Sequence, residues 1–152
     1  METKQETTLE ILNDLVKINN DRIEGFERAT KNIGEGREDL KQIFTRFIGE
    51  SHQNKLELGT EIQALGKDID NTTSASGSLH RTWLQVKAAF TGHDTHNVLE
   101  ECEFGEDAIK KAYKDALEEE EVPAYIKEIL LQQQQKLNIA HDTIKQLRDQ
   151  TE

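Results

Sequence analysis

Between Ile126 and Leu147 the chain places Ile126, Leu130, Gln133, Leu137, Ala140, Ile144 and Leu147 at alternating steps of four and three, without a break. A repeat averaging 3.5 residues keeps one stripe facing a partner over many turns of α-helix, whereas a strand would need alternation every second residue. The segment therefore predicts a helix over about 123–149, packed into a bundle by this seam. Gln133 is polar, yet it lies in the middle of the stripe.

The same periodicity recurs upstream. Leu12, Leu15, Ile23, Phe26, Ala29 and Ile33 define a helix over about 8–33, with Thr7 and Glu10 spaced as a capping box. "GEG" at 34–36 breaks it, and a helix over 37–66 follows on Leu40, Phe44, Phe47, Leu58, Ile62 and Leu65. Leu99, Cys102, Ile109, Tyr113 and Ala116 mark another over 95–118. "EEEE" at 118–121 forms the join to the last helix, whose first turn is marked by Pro123. One proline and nine glycines in 152 residues leave little turn chemistry for a sheet.

The first two helices are joined tightly, as are the last two. About 28 residues separate the pairs, beginning with the loop-forming "KDIDNTTSASGS" and continuing with Leu79, Trp83, Val86 and Phe90 as a short helix over 79–91. One long crossover in a four-helix chain distinguishes the ferritin-like topology from simple up-down-up-down order. The expectation is all-α: a single ferritin-like domain over 1–152 with a short helix in its crossover.

A formal net charge of −11 opposes binding to nucleic-acid phosphates and anionic lipid. No apolar run spans a bilayer, and "METKQETTLEILND" lacks the basic and apolar regions of a signal peptide. Cys102 has no second cysteine to pair with, which suits a reducing compartment. A cytoplasmic protein with neither nucleic-acid nor membrane partners is expected.

Each long helix carries a polar residue on its inward stripe: Asn19 on the first, Ser51 and Asn54 on the second, Glu106 on the third and Gln133 on the fourth. Left unpaired in a core, such groups cost about 1–3 kcal/mol each, so they must bond to one another, to water or to a ligand. A layer of this kind fixes helix register. The competing reading is a metal centre.

Two clustered metal ions in such a bundle require a Glu from each of two helices and Glu-x-x-His from each of the others. Here Glu50-Ser51-His52-Gln53 ends in Gln, and Asn138-Ile139-Ala140-His141 begins with Asn. Glu24, Glu50, Glu103, Glu106 and His141 are the candidate ligands for iron or another divalent metal. The set is incomplete, so no cofactor is the first expectation.

Other motifs favour packing over chemistry. In "GHDTHN", His93, Asp94 and His96 could approach zinc, but Asn97 and Glu100 also fit a capping box. In "GSLHRTW", His80, Arg81 and Trp83 could form a recognition surface, although a tryptophan on an apolar stripe is usually an anchor. Cys102 lies among acidic residues in "ECEFGED", which disfavours the thiolate.

Together, "LNDLVKINNDRIEGFERA", "GSLHRTW", "LEECEFGEDAIKKAYKDAL" and "HDTIKQLRD" resemble a family of small bacterial ferritin-like bundles known as domain of unknown function 2383. The resemblance implies that fold and supplies no activity. The reading that follows is a non-enzymatic interaction or stress-associated accessory protein, working as a homodimer or with a protein partner. A degenerate di-iron-like oxidoreductase or iron-handling protein is the alternative.

Overall fold

The computed structural model describes residues 3–33, 36–67 and 95–151. The expected helix over 79–91, with His80, Arg81 and Trp83, lies outside these residues, as do His93 and Asp94. Four helices are described: α1 Lys4–Asn32, α2 Glu38–Ala64, α3 Thr95–Glu118 and α4 Ala124–Gln150.

Side chains crossing between helices give the directions. Asn19 and Arg22 of α1 meet Asn54 and Ser51 of α2 in reverse order, so this pair is antiparallel. The same two residues meet Tyr113 and Glu106 of α3, again in reverse order. Helices α2 and α3 therefore run the same way, and the chain leaves α2 at one end of the bundle and enters α3 at the other. That is the ferritin-like four-helix arrangement.

The seams deliver two apolar clusters. Leu12, Leu15, Leu58, Ile62, Ile109, Ile126, Leu130 and Leu137 build one. Phe26, Phe44, Phe47, Leu99, Cys102 and Ile144 build the other, with the Phe26 ring tilted against both neighbouring phenylalanines. Burying each large side chain contributes roughly 1.5–3 kcal/mol. Among the described residues, no helix is long and apolar enough to cross a membrane.

The helix ends refine the expected boundaries. Helix α1 begins one turn earlier than expected, because Thr3, not Thr7, is the N-cap. Its side chain accepts from the Glu6 amide at 3.1 Å and Glu6 reaches back to the Thr3 amide at 3.3 Å. Two similar boxes, Thr3–Glu6 and Thr7–Glu10, follow one another in the sequence, and the outer one wins because it adds a turn of backbone hydrogen bonds. Thr3→Ala should lower stability by about 0.5–2 kcal/mol in urea unfolding, and Thr7→Ala by less, since Thr7 lies inside the helix.

Helix α2 closes on Gly66 at φ +80°, with Gly66 and Lys67 amides donating to Gln63 and Ile62 carbonyls at 2.9 and 3.3 Å. Glycine suits that left-handed position because it has no Cβ to clash. Pro123 stands at the N-cap of α4 rather than in its first turn. Asn97 does not cap α3: the helix already runs from Thr95, and Glu100 faces His96 Nε2 at 3.3 Å.

Candidate functional site

Between the apolar clusters, Asn19, Ser51, Asn54, Glu106 and Gln133 are all buried. They separate into two layers. In the first, Asn54 Nδ2 donates to Asn19 Oδ1 (3.2 Å), Asn19 Nδ2 to Tyr113 Oη (2.9 Å), and Tyr113 Oη to Gln133 Oε1 (2.6 Å). Gln133 Nε2 returns to the Asn54 carbonyl at 3.3 Å and closes a ring of hydrogen bonds through all four helices. Gln133 Nε2 also donates to Glu57 Oε1 at 2.8 Å, while Asn54 Oδ1 finds no hydrogen-bonding partner among the described residues.

The second layer is ionic. Arg22 donates from Nε and Nη2 to the two Glu106 oxygens at 2.7 and 3.2 Å, and from Nη1 to Ser51 Oγ at 3.0 Å and the Phe47 carbonyl at 3.2 Å. Its Nη2 lies 3.4 Å from Glu50 Oε1, and its guanidinium packs over the Phe26 and Phe47 rings. Burial raises the Glu106 carboxyl above its usual range, and the Arg22 charge pulls it partly back.

Arg22 is not among the inward polar residues expected from the sequence, although the pattern that places it there is present. Steps of four and three from Leu15 reach Asn19, Arg22, Phe26, Ala29 and Ile33. An apolar stripe continues from Asn19 to Ile23 instead, which is an equally legal helical step.

The fold family implies a two-metal centre at this depth, and the donors present do not fit one. The position between Glu50 and Glu106 is filled by a guanidinium, whose charge is permanent and offers no ligand lone pair. Glu24 faces Arg28 at 3.5 Å on the outside of α1. Gln53 and Asn138, where the histidine and glutamate of two Glu-x-x-His pairs would stand, are exposed.

Glu103 and His141 lie together on the flank of α3 and α4, joined by Asp107. His141 Nε2 is 2.7 Å from Asp107 Oδ1 and 3.9 Å from Glu103 Oε1, while Nδ1 is 3.2 Å from Asp142 Oδ1. The other Glu103 oxygen accepts from Arg148 Nη1.

Elsewhere in "ECEFGED", Cys102 is buried, and burial together with Glu106 and Glu101 raises its thiol pKa well above the ordinary value. Glu101 is half-buried. Burial, then the adjacent Glu100 charge, pushes its carboxyl up to about 7.

Residues 7–119 match the family model described as domain of unknown function 2383. No curated protein matches the chain. Among solved structures, a Mycobacterium smegmatis Dps1 mutant, F47E, superposes with a TM-score of 0.78 over 95% of this chain and 97% of that one, at 12% identity. At that identity the likeness speaks for the fold alone.

Proposed function

The chain belongs to the domain of unknown function 2383 family, and from that premise we propose that it is a non-enzymatic, cytoplasmic accessory protein, interaction-based or stress-associated. In this reading the bundle centre locks the helices instead of housing a reaction. The chain works through its surface, with a second copy or another protein.

One observation carries the reading: the Arg22 guanidinium stands between Glu106 of α3 and Glu50 of α2. In a two-metal bundle the facing carboxylates are neutralised by exchangeable cations with open coordination positions. Here a covalently attached cation takes up that charge, and its planar fork satisfies both Glu106 oxygens. The guanidinium takes the place that an exchangeable cation would need between Glu50 and Glu106.

The iron-handling alternative makes the opposite claim about the same carboxylates. Elemental analysis of protein expressed in iron-supplemented medium separates the two readings. Wild type and Glu106→Gln should carry the same metal content. Near-stoichiometric iron or manganese that disappears in Glu106→Gln would overturn the proposal.

A further inference from the structure

We infer that Glu103, Asp107 and His141 form a mononuclear site for a first-row divalent cation of the zinc or iron(II) class. The site lies on the α3–α4 flank, apart from the bundle centre. Each residue offers one ligand atom, and the three atoms lie within 4.8 Å of one another.

The spacing suits a single ion. Ligand atoms held about 2.0–2.2 Å from one tetrahedral cation stand roughly 3.3 Å apart. The separations of 2.7 and 3.9 Å from His141 Nε2 bracket that value, so an ion enters through small side-chain adjustments. Glu103 and Asp107 are one turn apart on α3, and His141 projects from the antiparallel α4, so two rigid helices position the set. One imidazole with two carboxylates suits borderline cations and leaves coordination positions for water.

Two further contacts orient the ligands. Asp142 Oδ1, 3.2 Å from His141 Nδ1, is placed to accept a proton held there when Nε2 ligates an ion. Arg148 engages the second Glu103 oxygen, leaving Oε1 aimed at His141. A hydrogen bond from an Nε2 proton to Asp107 Oδ1 accounts for the same 2.7 Å separation, and the experiment must separate that hydrogen bond from a metal.

The test is titration of chelator-treated, dialysed full chain with Zn2+ by calorimetry, and with Co2+ followed by visible absorption. Saturation at one equivalent per chain is expected. Asp107→Asn and His141→Ala should weaken binding by more than about tenfold, Asp142→Asn by about ten- to a hundredfold, and Glu106→Gln should leave it unchanged. Asp107 is exposed, so its variant keeps the test decisive even if His141→Ala fails to fold.

Absence of saturable binding, or binding unaffected by Asp107→Asn, would overturn the site in favour of a plain His141–Asp107 hydrogen bond and leave the locked centre standing. Binding lost in Glu106→Gln but kept in Asp107→Asn would overturn both this inference and the proposed function.

Discussion

Replacing Arg22 with methionine should destabilise the chain by about 3–5 kcal/mol, the usual consequence of breaking a buried ion pair on one side. For a chain of this length that lowers the midpoint of thermal unfolding by roughly 6–20 °C. Glu106 is only 1% exposed, so its carboxylate is left buried without its counter-charge. Ser51 Oγ and the Phe47 carbonyl lose a donor in the same substitution.

The pH dependence distinguishes this from an ordinary packing defect. Burial already holds the Glu106 carboxyl above its usual range, with Arg22 opposing the shift. Without Arg22, burial and the Glu50 charge meet only the smaller opposing effect of His141, and the folded-state pKa rises further. A group with a folded pKa above its unfolded one adds stability that is fully present below the unfolded pKa, near 4.3 for glutamate, and is lost as pH rises through the folded value.

The deficit of Arg22→Met relative to wild type should therefore be largest near pH 8 and shrink towards pH 5. Arg22→Met combined with Glu106→Leu should recover most of the loss and flatten the profile, since an apolar pair of similar volume is often as stable as the ions it replaces. Urea unfolding at several pH values compares both variants with the wild type. A deficit below about 1 kcal/mol, constant with pH, would mean that Arg22 and Glu106 are not a buried charged pair.

The same residues show what could be read without coordinates. The α4 seam from Ile126 to Ile144 is buried at the stripe positions Ile126, Leu130, Gln133, Leu137, Ala140 and Ile144, because a 3.5-residue repeat has one way to face a bundle. Asn19, Asn54, Glu106 and Gln133 were legible as inward polar residues for the same reason. Their partners were not. Periodicity fixes which way a residue faces around its own helix but not the axial offset between helices, and Tyr113 meets Asn19 across 94 residues of chain.

Tyr113 had a weaker signal: a tyrosine on an apolar seam carries a hydroxyl that needs a partner. His141 and Asp107 show the limit from the other side. Each lies one position beyond an inward residue, Ala140 and Glu106, so each falls on a flank that the seam leaves unassigned. Glu103, one turn before Asp107, completes the group only once α3 and α4 are placed side by side.

Tyr113→Phe should lower stability by about 1–3 kcal/mol, although it removes a single oxygen and keeps the ring. The phenol is fully buried, and burial pushes its pKa up, with the Asn19 hydrogen bond pulling the other way, so it stays a donor at ordinary pH. Its loss leaves Gln133 Oε1 without the 2.6 Å bond, whereas Asn19 Nδ2 keeps the Leu15 carbonyl at 2.8 Å. The damage therefore falls on one acceptor. Adding Gln133→Leu removes that acceptor and should return most of the lost stability, because Glu57 and the Asn54 carbonyl lie in α2, where Glu57 reaches solvent and the carbonyl belongs to the helix. If the single and double variants lose equal amounts in urea unfolding, the closed ring has no energetic meaning. If the double variant recovers stability but its amide hydrogen exchange quickens across all four helices, the ring's contribution is to register: it makes one alignment of the bundle better satisfied than its neighbours.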